Sequence, residues 1–187
     1  VLPPGTRFYF GLTSWLIERA RSGATSVVEQ LLAKGADVGA RAARGQTALM
    51  WAVSQHHADV VDVLLDHGAD PHARSDVWTQ VMAVPPHARP EHNFDVPHGG
   101  NTALMFAARV GDLASARLLV SAGANVNDTD AWGVSATVLA SHSGYVELVE
   151  FLLESGADAN VATAGFTALH EAVMRGDERM VTALLTH

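Results

Sequence analysis

The feature that most constrains this chain is its internal repetition. Leu31-Leu32-Ala33-Lys34-Gly35-Ala36-Asp37 returns as Leu64-Leu65-Asp66-His67-Gly68-Ala69-Asp70 and as Leu152-Leu153-Glu154-Ser155-Gly156-Ala157-Asp158. A further copy is Leu118-Leu119-Val120-Ser121-Ala122-Gly123-Ala124-Asn125. Gly35, Gly68, Gly123 and Gly156 are separated by 33, 55 and 33 residues, so the period is 33, with an insertion of about 22 residues in the middle. A fixed period of this length means a stack of small units that bury their apolar faces on one another, not a single closed core.

A second pattern runs in phase. Thr47-Ala48-Leu49-Met50-Trp51-Ala52 recurs from Thr102 and from Thr167, more weakly from Ser135, and in a degenerate form from Ser14. The count is therefore five units. Thr or Ser at the head of each copy suits a helix N-cap, because its hydroxyl accepts an orphaned first-turn amide hydrogen. A helix of small residues follows, and Gly23, Gly111, Gly144 and Gly176 break it. The second helix of each unit is amphipathic, as in Val61, Leu64 and Leu65 or Val149, Leu152 and Leu153. Gly35, Gly68, Gly123 and Gly156 stand just past its end, where a left-handed C-cap suits glycine. The short polar stretch before the next unit fits a projecting β-turn.

These motifs resemble the ankyrin repeat family, over nearly all of residues 12–187 except the insertion. The resemblance implies an all-α solenoid of helix pairs with projecting β-turn fingers, one domain over 1–187. Its repeats fall at about 12–40, 41–74, 99–128, 129–160 and 161–187. Residues 1–11 form a lead-in and 75–98 the insertion. Alanine stands at the family's proline position (Ala48, Ala103, Ala136, Ala168), and the family's histidine survives only as His170. Those swaps imply apolar packing in place of an inter-repeat hydrogen bond.

The resemblance also implies where a partner would bind, on the concave side made by turn tips and first helices. The tip positions are Arg44, Gln46, Asn101, Trp132, Val134 and Phe166; the helix positions include Gln55, Arg109, His142 and Arg175. An aromatic at a tip offers a large contact area at low entropic cost, or else folds back on the adjacent repeat. Trp51 and Phe106 share a register and are expected to be framework packing. The insertion carries Trp78 and Phe94 beside Pro85-Pro86, Pro90 and Pro97, which argues against a helix and for an extended loop. That loop either holds the partner or packs its apolar residues over the stack.

Composition excludes several other functions. Hydrophobic residues make up 48% and charged ones 17%, too apolar for disorder. A net charge of −8 disfavours nucleic acid and anionic membranes. No run approaches the roughly 18 apolar residues of a membrane span. With no cysteine, disulfides, thiol catalysis and cysteine-ligated metals are ruled out, and the compartment stays open between cytoplasmic and exported or periplasmic. His87, His92 and His98 lie near Glu91 and Asp95, but their spacing matches no helical face, so neither metal nor cofactor is expected.

No phosphate loop, nucleophile elbow or metalloprotease motif is present, and the chain is expected not to be an enzyme. One lysine among 12 basic residues hints at a high-GC bacterial source. The reading is a protein-binding scaffold of unknown partner; the alternatives are an accessory subunit of an assembly or the regulatory repeats of a longer enzyme. Val1 at the start and a last repeat that stops inside its motif suggest a fragment, whose uncovered Val181, Leu184 and Leu185 would favour self-association.

Overall fold

The computed structural model describes residues 11–82 and 94–187, apart from the side chains of Met82 and Phe94. The lead-in before Gly11 and the middle of the insertion, with Pro85-Pro86, Pro90, His87 and His92, lie outside the described residues. Five helix pairs follow in order. They are α1 (Leu12–Arg21) with α2 (Thr25–Ala33), α3 (Ala48–Ser54) with α4 (Ala58–Asp66), and α5 (Ala103–Val110) with α6 (Leu113–Ser121). The last two pairs are α7 (Ala136–Ser143) with α8 (Val146–Glu154), and α9 (Ala168–Arg175) with α10 (Glu178–Thr186). None of these helices is long and apolar enough to cross a membrane.

The first helices pack on one another in one layer and the second helices in another. Alanine makes the inner layer possible: Ala52, Ala107, Ala140 and Ala172 occupy one repeat position and are wholly buried. Leu64, Leu119 and Leu152 fill the space behind them, each burial contributing about 1.5–3 kcal/mol. The side chains of Thr47, Ser135 and Thr167 cap α3, α7 and α9 by accepting from Met50, Val138 and His170 N–H.

Two expected caps differ. Thr102 makes no side-chain cap, and Ser14 lies inside α1, whose N-cap is Gly11. His170 bonds within its own unit, its ring accepting the Thr167 N–H to close a capping box. At the last pair, Arg179 of α10 grips Glu147 and Glu150 of α8 at 2.7–2.9 Å. The Glu147 backbone amide and then Arg179 hold the Glu147 carboxyl below its usual range. Leu184 is buried there, whereas Leu185 and Met174 are exposed.

The insertion departs from the all-α pattern. It is a β-hairpin of β1 (Val77–Met82) and β2 (Phe94–Gly99), antiparallel, with Trp78 opposite His98 and Thr79 opposite Pro97. Val77, Thr79 and Val81, β-branched at every second position, together with Trp78 favour the strand. Pro97 is tolerated because each strand of a two-stranded sheet keeps an unpaired edge.

Candidate functional site

The hairpin stands on a tightly bonded neck. Ser75 N–H donates to Asn101 O (3.0 Å), Gly100 N–H to Ser75 O (3.2 Å) and Asn101 N–H to Ser75 Oγ (3.0 Å). Both flanks are tied to neighbouring fingers, by Asp76 N–H to Arg44 O (2.8 Å) and by Ala131 N–H to Gly99 O (3.0 Å). Gly99 has to be glycine, since its φ is +89° and a Cβ would run into the Asp76 carbonyl oxygen.

A repeated arginine device sets the finger register. Arg41 donates to Arg74 O (2.6 Å) and pairs with Asp76. Arg74, 33 residues on, donates to Thr129 O (2.7 Å) and pairs with Asp128. The first pair is exposed and the second half-buried at Asp128; surface pairs of this kind add about 1 kcal/mol or less, so their role is alignment.

Alignment produces a ledge across three fingers. The Arg44 guanidinium lies 4.6 Å from the centre of the Trp78 ring. Trp78 stacks on His98 (5.6 Å, 24°), and His98 meets Trp132 edge-on (6.4 Å, 85°). Trp78 is 38% exposed and Trp132 48%. Asp130 Oδ1 accepts the N–H groups of Trp132 and Val134 at 2.9 Å, which fixes the turn that presents the ring.

Beside the ledge, Arg109 donates to Asn101 Oδ1 (3.2 Å) and lies over Phe106 (6.0 Å). Arg21 lies over Trp51 (4.8 Å). Farther along, His142 bonds Glu171 (2.9 Å), and Arg175 donates to the His142 carbonyl (3.1 Å).

The structure therefore brings Arg44, Trp78 and Trp132 together, and separately Asn101 with Arg109 and His142 with Arg175. Gln55 is exposed, and its side-chain amide donates to the neighbouring Ser54 carbonyl. Four expected contact residues are less accessible than their tip positions implied. Val134 is 9% exposed and belongs to the core, and Asn101 is buried because the neck closes over it. Phe166 is half-buried against the core, and Gln46 is half-buried with its carbonyl accepting from Ala42 N–H. Phe94 lies in β2 opposite Met82, and its side chain is outside the described residues.

Sequence reasoning missed His98 as a member of the ledge. Its signal is the pairing register that sets it across from Trp78. Among the described residues no three carboxylate or imidazole groups converge as a metal site would require. What the ledge offers chemically is flat apolar area together with guanidinium N–H donors, the means of recognising another protein's side chains.

Helix pairs stacked in two layers, with fingers along one edge, define a repeat solenoid. Comparison with known proteins identifies which kind. A family model described as ankyrin repeats (3 copies) matches residues 16–130 and 104–187, and the chain belongs to that family. It is 32% identical over 144 residues to an ankyrin repeat and KH domain-containing protein of Caenorhabditis briggsae, covering 70% of this chain and 6% of that protein. It is 33% identical over 155 residues to ankyrin repeat domain-containing protein SAT10 of Stachybotrys chartarum, covering 82% and 7%. Palmitoyltransferase AKR1 of Lachancea kluyveri is 30% identical over 155 residues, covering 74% and 21%. The chain thus spans a small part of these relatives. All three are eukaryotic and give the bacterial hint no support. Ankyrin repeats generally mediate protein–protein interaction and are typically non-catalytic modules.

Proposed function

We propose that this chain is a non-enzymatic scaffold that holds a protein partner along its inner face, through the finger tips and the hairpin. The continuous row Arg44–Trp78–His98–Trp132 carries this reading. Two exposed tryptophans, held in place from below by bonded fingers, form a preorganised contact surface with little left to order on binding.

The test replaces Val77–His98 by a short flexible linker, removing Trp78 and His98, and keeps the neck from Ser75 to Asp76 and from Gly99 to Asn101. Affinity capture from source cells, quantified by mass spectrometry, compares this variant with the parent, with Trp132→Ala and with Arg117→Ala on the outer layer. The trimmed variant is expected to lose the partner, Trp132→Ala to weaken it, and Arg117→Ala to leave it unchanged. A trimmed, folded chain that still captures the partner would move the binding surface elsewhere.

A second reading, the regulatory repeats of a longer enzyme, draws on the palmitoyltransferase relative. Assaying the complete reading frame with and without these repeats distinguishes the two.

A further inference from the structure

The acidity of the chain is unevenly spread. The outer helices repeat one acidic triplet, Asp59, Asp62 and Asp66 on α4 and Glu147, Glu150 and Glu154 on α8. The inner helices instead carry Arg19, Arg21, Arg109 and Arg175 against Glu18 and Glu171. In the fingers, Asp76 and Asp128 are taken up by Arg41 and Arg74. Among the described residues neither Arg44 nor Arg109 pairs with a carboxylate. In a chain of net charge −8 the inner helices therefore carry more arginines than carboxylates, while Asp130 in the Trp132 finger is turned to backbone N–H groups.

The two guanidinium groups are also held for use. A ring covers one face of each, Trp78 for Arg44 and Phe106 for Arg109, and the buried Asn101 amide oxygen anchors Arg109. A stacked guanidinium keeps its in-plane N–H groups available, in the fork that matches a carboxylate. The outer acids do not cancel this preference. Packed helix layers lie about 8–10 Å apart, comparable to the Debye length of about 8 Å at physiological ionic strength.

From this complementarity we infer that the ledge takes an extended acidic segment of a partner protein. Its carboxylates meet Arg44 and Arg109, and an apolar side chain between them lies on Trp78 and Trp132. The inference rests on the inner-face reading above and adds the chemistry of the occupant.

The test selects a random-peptide library on the 187-residue chain and remakes the enriched sequences as labelled peptides for fluorescence anisotropy. Enrichment of Asp and Glu around an apolar residue is expected. Changing those acids to Asn and Gln, or the protein to Arg44→Gln with Arg109→Gln, should weaken binding by about tenfold or more, and so should added salt. Arg117→Gln should leave it within about twofold, because an exposed charge on the far layer is screened. Enriched peptides that lack acids, or that are lost with Trp78→Ala yet indifferent to both arginines, would overturn the acidic occupant and leave the inner face standing as the binding surface. If nothing is enriched, or binding is indifferent to Trp78→Ala and to both arginines, the inner-face reading falls with it.

Discussion

Units 2 and 3 are joined across the hairpin, while units 3 and 4 are joined by a plain short finger, and the two joints differ in an unexpected direction. Beside the hairpin, the buried positions of the first helices are apolar throughout: Leu49, Met50 and Val53 on α3, Leu104, Met105 and Ala108 on α5. At the plain joint, α7 has Thr137 where the earlier units have Leu49 and Leu104, and Ser141 where they have Val53 and Ala108. Ser115 on α6 likewise replaces Val60 and Leu148. Among the described residues all three hydroxyls are buried with no hydrogen-bond partner, against two such groups, Trp51 Nε1 and His98 Nε2, on the hairpin side.

A long insertion costs little closure entropy, since that cost grows only with the logarithm of length. A buried polar group without a partner costs about 1–3 kcal/mol. In a stack whose stability is a sum over neighbours, the joint that looks interrupted in sequence is therefore the stronger one. The hairpin stands on the firm joint, and Trp132 completes the ledge from beyond the weak one. Opening between units 3 and 4 would thus separate Trp132 from Trp78 and His98.

The largest expected effect breaks the firm joint. Leu104 is 1% exposed, and Leu104→Ala should cost about 2–5 kcal/mol in urea unfolding, through lost transfer energy and the cavity left behind. The hairpin should lose protection from hydrogen exchange at the same time. A cost below about 1 kcal/mol would mean the joint relaxes around the gap and is not the firm one.

Next in size is repair of the weak joint. Thr137→Val keeps the shape and removes a buried unbonded hydroxyl, so it should stabilise the chain by about 1–2 kcal/mol, and Ser141→Ala should act in the same direction. Native-state hydrogen exchange should slow in α7 and α8 more than in α3 and α4. Destabilisation by Thr137→Val would show that the hydroxyl is bonded and that the two joints are alike.

The stack itself was legible because a 33-residue period with capping residues in phase admits one kind of architecture. The hairpin was not legible. Its prolines read as loop, and its strands are specified by a pairing register that sequence spacing does not reveal. For the same reason Arg44, Trp78 and Trp132 could each be named as contact residues while their adjacency through His98 could not. The errors at Val134 and Asn101 have another source. Tip positions were assigned from repeat register alone, whereas burial there depends on how closely the next finger folds over, as the Ser75–Asn101 neck shows. The difference between the joints was visible as Thr137 and Ser141, but a buried hydroxyl reads as satisfied until its surroundings are known.

The smallest expected effect compares the same two units at the turn between their helices. Unit 3 ends its first helix at Gly111, in the left-handed region at φ +77°, and unit 2 places His56 there at φ +60°. Room explains why a side chain is accepted at one and not the other. A Cβ on Gly111 would lie 2.7 Å from Tyr145 Cδ1 of the next unit, and one on Gly23 would lie 2.7 Å from His57 Nδ1. The residue of unit 3 in the place of Tyr145 and His57 is the shorter Asp112. His56 therefore carries the backbone strain without the collision. Removing a left-handed side chain relieves roughly 1 kcal/mol, and glycine's greater freedom in the unfolded chain returns part of it. His56→Gly should then stabilise by only about 0.5 kcal/mol, read as a small rise in urea midpoint, with His56→Ala giving no gain because its Cβ keeps the strain. The converse Gly111→His should cost several times more, since it adds the Tyr145 collision to the same strain. Equal and opposite effects at the two positions would show that φ alone decides and that the neighbouring unit plays no part.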